Sequence, residues 1–317
     1  MKNNIESREA VETPRAKLFG RSGVRRSNTA LYLMLVPFVL YFLIFLYKPM
    51  WGLQIAFKDY SLFGGMAASE WIGFDNFKTF LSGPFFWRLL RNTVLIGSYA
   101  LIFGFPIPVI LAILMNEVRS QNCKKVIQTM LYLPYFVSTV VVAGIVTNIL
   151  APSGIVNVIL EKLGFESIYF LTDPKYFRTI YTVMGIWQSA GYSAVIYLAA
   201  LSGIDVQLYE ACQIDGGNKA RQMWHITLPG IAPTVVIMLI MNCGGIINVG
   251  SEAIILLYQP ATYETADVIS TYVYRIGLTD GDYGLATAVG LFNSVIGLLF
   301  VVTANTISKN VSEYSLW

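Results

Sequence analysis

The sequence predicts an all-α integral membrane protein with six transmembrane helices, on three observations. Of its 317 residues, 55% are hydrophobic and 13% are charged, and the mean hydropathy is +0.58, far from the balance of a soluble domain. Six apolar runs approach the length that crosses about 30 Å of hydrocarbon as helix. None shows the two-residue alternation of a barrel strand, and backbone amides in lipid must be satisfied within their own segment.

The first run, Leu31 to Tyr47, follows the basic head "RAKLFGRSGVRR" and has no small-x-small cleavage site after it, so it reads as a retained span. The second, Thr93 to Met115, carries Pro106 and Pro108, which predict a kink. The third covers Val126 to Leu150, the fourth Tyr176 to Leu201, the fifth Ile231 to Tyr258 and the sixth Leu285 to Ile307. With a cytoplasmic head, six crossings return Lys309 to the same side, and the loop with Arg119, Lys124 and Lys125 is also inside, as the positive-inside rule requires. Trp51, Trp71 and Trp87 then fall where spans meet the outer loops, as an interfacial aromatic belt does.

The expected organisation is a basic tail over 1–29, a first helix and external loop over 30–91, a five-helix core over 92–307 and a second cytoplasmic tail over 308–317. Cys123, Cys212 and Cys243 have no CxxC or histidine companion, and His225 is the single histidine, so metal-ligand spacing is absent. A net charge of +3 is too small for nucleic-acid binding. No set of nucleophile, base and orienting group can be assembled for an enzyme.

One stretch is out of place in so apolar a chain: "YEACQIDGGNKARQMWHITLPG", between the fourth and fifth spans on the predicted cytoplasmic side. Asp205 is suited to cap a short helix whose Leu208, Ala211 and Cys212 share one face. Gly216 and Gly217 can then turn the chain sharply into a second helix from about Asn218 to Leu228, expected to stop at Pro229. By composition alone this could be an ordinary amphipathic loop on the membrane surface.

The order of residues distinguishes it. Glu210, Ala211, Asp215, Gly216, Ile226, Leu228 and Pro229 resemble the EAA signature of importer-type ABC transporter permeases, with Cys212 in place of the second alanine and Gly217 in place of the small residue after the elbow. The resemblance implies a type I importer permease fold in which this loop inserts its short helix into a cleft on a cytoplasmic ATPase. It also implies a second permease subunit, two ATPases that use ATP and magnesium, an extracytoplasmic sugar-binding protein and a place in the bacterial cell membrane. No G-x-x-x-x-G-K-[ST] phosphate loop occurs here, so ATP hydrolysis belongs to another chain. Two further runs, "YKPMWGLQIAFKDYSLFGGMAASEWIGFDNFKTF" and the terminal "SEYSLW", look like the branch of carbohydrate importers that handles oligosaccharides from polymers.

Polar groups within spans should face a bundle or cavity. Asn148, Trp187, Gln188, Tyr192, Asn242, Asn248, Glu252 and Asn293 are such groups, and all but Asn148 are candidates for a sugar path. Asn248 and Glu252 are expected to share a helix face, and Trp187 and Gln188 suit stacking and hydroxyl hydrogen bonding. The competing reading is a proton- or sodium-coupled secondary transporter of a small polar solute, which predicts internal repeats and a midplane carboxylate. Neither is visible.

Overall fold

A computed structural model describes residues 21–311, with side chains from Thr29 to Asn310. The side chains of the basic head and the run "SEYSLW" lie outside the described residues. The first helix and the chain from Gln54 onward are two units and are described separately.

The first unit is α1, Arg21–Tyr41, continued through a π-helical turn at Phe42–Tyr47. No residue in the most apolar part of Thr29–Phe57 is buried within the chain.

The second unit begins with a two-stranded antiparallel ribbon, β1 (Lys58–Asp59) and β2 (Glu70–Trp71), followed by α2 (Asp75–Ser82). Asn76 holds the ribbon by donating from Nδ2 to the carbonyls of Ala56 at 3.0 Å and Lys58 at 3.2 Å. The spans then follow as α3 (Phe86–Tyr99) with α4 (Pro106–Glu117), α5 (Gln121–Tyr132), α6 (Thr139–Leu150) with the short α7 (Ile155–Lys162), and α8 (Pro174–Ser202). The rest is α9 (Val206–Ile214), α10 (Lys219–Gln222), α11 (Leu228–Gly245), α12 (Ser251–Leu257), α13 (Ile269–Tyr274) and α14 (Tyr283–Val311).

Among the described residues, five helical runs are long and apolar enough to cross a membrane: Thr29–Phe57, Phe86–Glu117, Thr139–Lys162, Lys219–Gly245 and Tyr283–Asn310. A sixth, Pro174–Ser202, reaches that measure together with Val206–Ile214, from which it is bent by 68°. The six-span architecture is therefore present, with three of its details changed.

The expected kink at Pro106 takes the form of a π turn over Ala100–Gly104, which accommodates a residue that cannot donate its backbone N–H. The third span does not run from Val126 to Leu150. Pro134 forces a 3-10 turn at Leu133–Phe136, Val137 is extended, and Ser138 caps a fresh helix by accepting from the amide of Val141 at 3.4 Å. The fifth span does not reach Tyr258 either. Its helix ends at Gly245 in the sequence "GGIINVG", where three glycines lower helix propensity, and resumes at Ser251 after an extended Gly250. Asn248 lies in that break and Glu252 in the next helix, so the helix face they were expected to share does not exist.

Packing gathers around α8. Ala112, Ile113 and Met115 of α4 meet Ala194, Tyr197 and Leu201 of α8 and Ile231 of α11 in one buried cluster. Phe177 and Met184 of α8 join Ile96, Val142 and Ile254 in another. Close backbone approach depends on glycine at Gly191, where a Cβ would overlap the carbonyl of Leu131.

Candidate functional site

Two regions could carry function: the polar loop after α8 and a cavity beside α8. In the loop, Asp205 accepts from the amide of Gln207 at 2.9 Å and starts α9 as expected. The helix ends in a Schellman arrangement. Gly217 donates to Cys212 O at 2.7 Å and Gly216 to Gln213 O at 3.0 Å, with Gly216 at φ +75. Gly217 is constrained differently, because a Cβ there would collide with Sγ and the carbonyl of Cys212. The cysteine that replaces alanine thus occupies the space that the second glycine leaves.

Asn218 then caps the next helix through the amide of Arg221 at 2.9 Å. Pro229 does not stop it. A π turn over Met223–Thr227 accommodates the proline at the start of α11, and Lys219–Gly245 forms one continuous run. Ile226 and Leu228 are half-buried at this base, and Pro229 is exposed. The loop is fastened to the body at two points. Tyr209 Oη pairs with Thr227 Oγ1 at 3.1 Å, and Lys219 Nζ with Glu117 Oε2 at 2.8 Å.

What α9 presents outward is apolar with a charge in its midst. Val206, Leu208 and Ile214 are 66%, 52% and 86% exposed, and Glu210, Ala211 and Asp215 are exposed beside them. Of the three residues expected to share one face, Leu208 and Ala211 are exposed and Cys212 is half-buried, its Sγ turned toward Gly217. Val206, Glu210 and Ile214, four apart, share one exposed side of α9, with Leu208 exposed on the other, and exposed apolar groups around a carboxylate suit a groove in another protein.

The cavity, of about 530 Å³, is bounded by α8, the α3–α4 junction, α11 and the broken fifth span. It brings together Gln188, Asn242 and Glu252 from the expected path, and adds Thr182, Ser189 and Ser193. Sequence reading missed the hydroxyls because each is unremarkable in a helix. Their common signal is spacing: 182, 185, 189 and 193 repeat along one face of α8. Ser189 bonds back to Gly185 O at 2.7 Å, Gln188 donates to Val137 O at 3.0 Å, and Asn242 donates to Met238 O at 2.8 Å. Thr182 Oγ1 is buried with no partner.

The remaining candidates lie elsewhere. Trp187 lines a separate recess of about 590 Å³ walled by Val142, Ile145, Val183 and other apolar side chains. Tyr192 stacks on Tyr135 at 4.0 Å. Asn293 donates to Asn248 Oδ1 at 3.0 Å, joining α14 to the break in the fifth span. Asn148 bonds back to Gly144 O at 2.9 Å.

At the end of α8 away from the loop, a charged network ties distant segments together. Asp267 is fully buried, with Arg275 bonded to both carboxylate oxygens at 2.9 and 3.2 Å, Arg88 at 3.2 Å and Thr271 at 2.9 Å. Burial opposes the charge on Arg275, but the hydrogen bond and charge of Asp267 outweigh it and raise the guanidinium pKa above its usual value. Asn92, also fully buried, donates to Glu264 O at 2.9 Å and Asp267 O at 3.0 Å and accepts from Arg178 at 3.0 Å. Among the described residues no three His, Cys, Asp or Glu side chains converge as metal ligands.

Residues 104–313 match the model of the binding-protein-dependent transport system inner membrane component family. The chain is 46% identical to protein LplB of Bacillus subtilis (strain 168), covering 90% of this chain and 91% of that one. It is 42% identical to the polygalacturonan/rhamnogalacturonan transport system permease protein YteP of the same organism, over 90% of each. A subunit of a bacterial ABC transporter involved in the import of the acidic polysaccharide alginate superposes with a TM-score of 0.84 at 47% identity, over 92% of this chain and 98% of that one. The same transporter fold, in complex with an alginate pentasaccharide-bound periplasmic protein, aligns at 46% identity, over 93% and 99%, again with a TM-score of 0.84.

Proposed function

The chain belongs to the binding-protein-dependent transport system inner membrane component family, and from that premise we propose that it forms half of an oligosaccharide path driven by cytoplasmic ATPases. It is a multi-pass permease of the ABC sugar-importer type and not itself an enzyme. In the proposed complex it pairs with a second, different permease, two ATPases that bind ATP and magnesium, and an extracytoplasmic sugar-binding protein. Both termini face the cytoplasm of a bacterial cell. The observation that carries ATPase coupling is α9: a short helix bent 68° from α8, with Val206 and Ile214 exposed on either side of Glu210.

In this reading the ATPase cleft takes the apolar face and a basic residue in the cleft takes the Glu210 carboxylate. Motion of α9 reaches α8 directly and α11 through the Tyr209–Thr227 contact. Glu210→Ala is expected to weaken ATPase association roughly tenfold, the worth of one charged hydrogen bond. Glu210→Gln should fall between, and uptake in vesicles should drop in parallel. Unchanged pull-down and uptake for both variants would remove Glu210 from the interface. Transport by the purified permease pair with no ATPase would instead favour the ion-coupled alternative.

The cavity beside α8 is the proposed sugar path, supported by its size and its hydroxyl and amide lining. Gln188→Ala, Asn242→Ala and Glu252→Ala are each expected to reduce sugar uptake about fivefold, as loss of one ordinary hydrogen bond would. Trp187, Tyr192, Asn248 and Asn293, which lie off this cavity, serve as comparison positions and should have smaller effects through packing. If the three lining variants transport normally at normal abundance, the path runs elsewhere.

A further inference from the structure

We propose that Arg178 is a carboxylate-recognition site at the far end of the sugar path, which selects acidic, uronate-containing oligosaccharides over neutral ones; this rests on the cavity beside α8 being that path. The first observation is position. Residues 178, 182, 185, 189 and 193 recur at three- and four-residue intervals, so Arg178 continues the cavity-lining stripe of α8 one turn beyond Thr182.

The second observation is an unmet demand for an anion. Arg88 and Arg275 nearby share the carboxylate of Asp267, whereas among the described residues Arg178 has no ion-pair partner within hydrogen-bonding distance. Its described bond is to the neutral Asn92 Oδ1, at 3.0 Å. Its Nε is buried without a partner, as is that of Arg88, and so is Thr182 Oγ1 one turn from Arg178. Arg91 adds a second positive charge to its surroundings, opposed by Glu264.

A guanidinium held in a partly buried site with its Nε–H unpartnered is matched by a planar carboxylate, which can accept two parallel hydrogen bonds. The hydroxyl of Thr182 can donate to the same ligand or to an adjacent sugar oxygen. Glu252 is the single acidic residue among those lining the cavity, and it is not among the charges that act on Arg178, which are Arg91, Tyr99 and Glu264. It therefore does not neutralise Arg178, and it would repel a uronate that strayed from the arginine.

The test uses the transporter purified with its native subunits, reconstituted in vesicles with internal ATP. The external binding protein is saturated either with a galacturonate trisaccharide or with its fully methyl-esterified, neutral counterpart. Arg178→Gln is expected to slow uptake of the acidic trisaccharide about tenfold and that of the ester less than twofold. Arg178→Lys should recover part of the acidic rate, and ATP hydrolysis stimulated by the unloaded binding protein should stay within twofold of the parent. Equal losses on both sugars would overturn the proposal and leave Arg178 as a brace for Asn92, and no loss on either would also overturn it. A parent transporter that imports the ester but not the acid overturns the carboxylate site while the sugar-path reading stands. ATP-dependent import of neither sugar by the parent counts against that reading too.

Discussion

Replacing Asp267 by alanine is expected to destabilise the protein by about 3–5 kcal/mol, because it leaves Arg88 and Arg275 facing a buried site with no counter-charge. The carboxylate is fully buried and the two arginine side chains are only 31% and 26% exposed, so water cannot replace it cheaply. The damage should spread. Asp267 also accepts from Thr271, and its backbone carbonyl receives Asn92, so the start of α3, the segment before α13 and α13 itself lose a common anchor. Asp267→Asn keeps the volume and one acceptor oxygen and should cost less than alanine. Thermal unfolding of the detergent-solubilised protein, followed by size-exclusion chromatography, measures both. An alanine variant that melts and elutes like the parent would show that the network contributes little to folding.

That network illustrates which parts of the structure could be read from the sequence. Arg88 and Asp267 are 179 residues apart, and nothing local in either neighbourhood signals the other. An ion pair of this kind follows from the packing of helices and not from any residue pattern along one of them. The six apolar runs and the Asp205–Gly217 elbow were legible for the opposite reason. A span must satisfy its own backbone within one segment, and the cap and the glycine turn are each decided within a few residues.

Between these extremes lie the features that hydropathy misjudges. Pro134 and the "GGIINVG" run sit inside stretches apolar enough to count as uninterrupted spans, yet both break the helix. Such breaks are tolerated where neighbouring groups satisfy the released backbone, as Ser270 does by donating to Val249 O at 2.8 Å. Pro229 misleads in the other direction, since the π turn before it lets the helix continue. The candidate path shows the same limit. Polar or amphipathic character within a span selected Trp187 and Tyr192 with Gln188 and Asn242, but which side of α8 faces the cavity depends on the partners of the helix, and the hydroxyls of Thr182, Ser189 and Ser193 emerge only when that side is known.

The elbow gives the second large effect. Gly216→Val is expected to abolish ATP-driven uptake while leaving the spans folded, because Gly216 sits at φ +75, a conformation in which a β-branched side chain is strongly disfavoured. The strain is about 1–3 kcal/mol, and space is not the obstacle, since nothing lies within 4 Å of a Cβ built there. Relief comes most easily by rotating the backbone, which breaks the bonds from Gly216 and Gly217 to Gln213 and Cys212 and lets α9 change direction against α10. A helix that no longer points where its partner pulls cannot transmit the stroke, even if it still binds. Asparagine separates this cause from simple bulk, since its side chain tolerates the left-handed region far better than valine. Gly216→Asn should therefore keep much of the parent uptake. Gly217→Ala is constrained by the opposite cause, because its φ is ordinary but its Cβ would strike Cys212, and the companion change Cys212→Ala should relieve only the sulfur part of that clash. Uptake in vesicles, ATP hydrolysis and ATPase pull-down on the same preparations decide the matter. Normal uptake by Gly216→Val at normal abundance, or equal losses for valine and asparagine, would contradict a coupling role that depends on the left-handed turn.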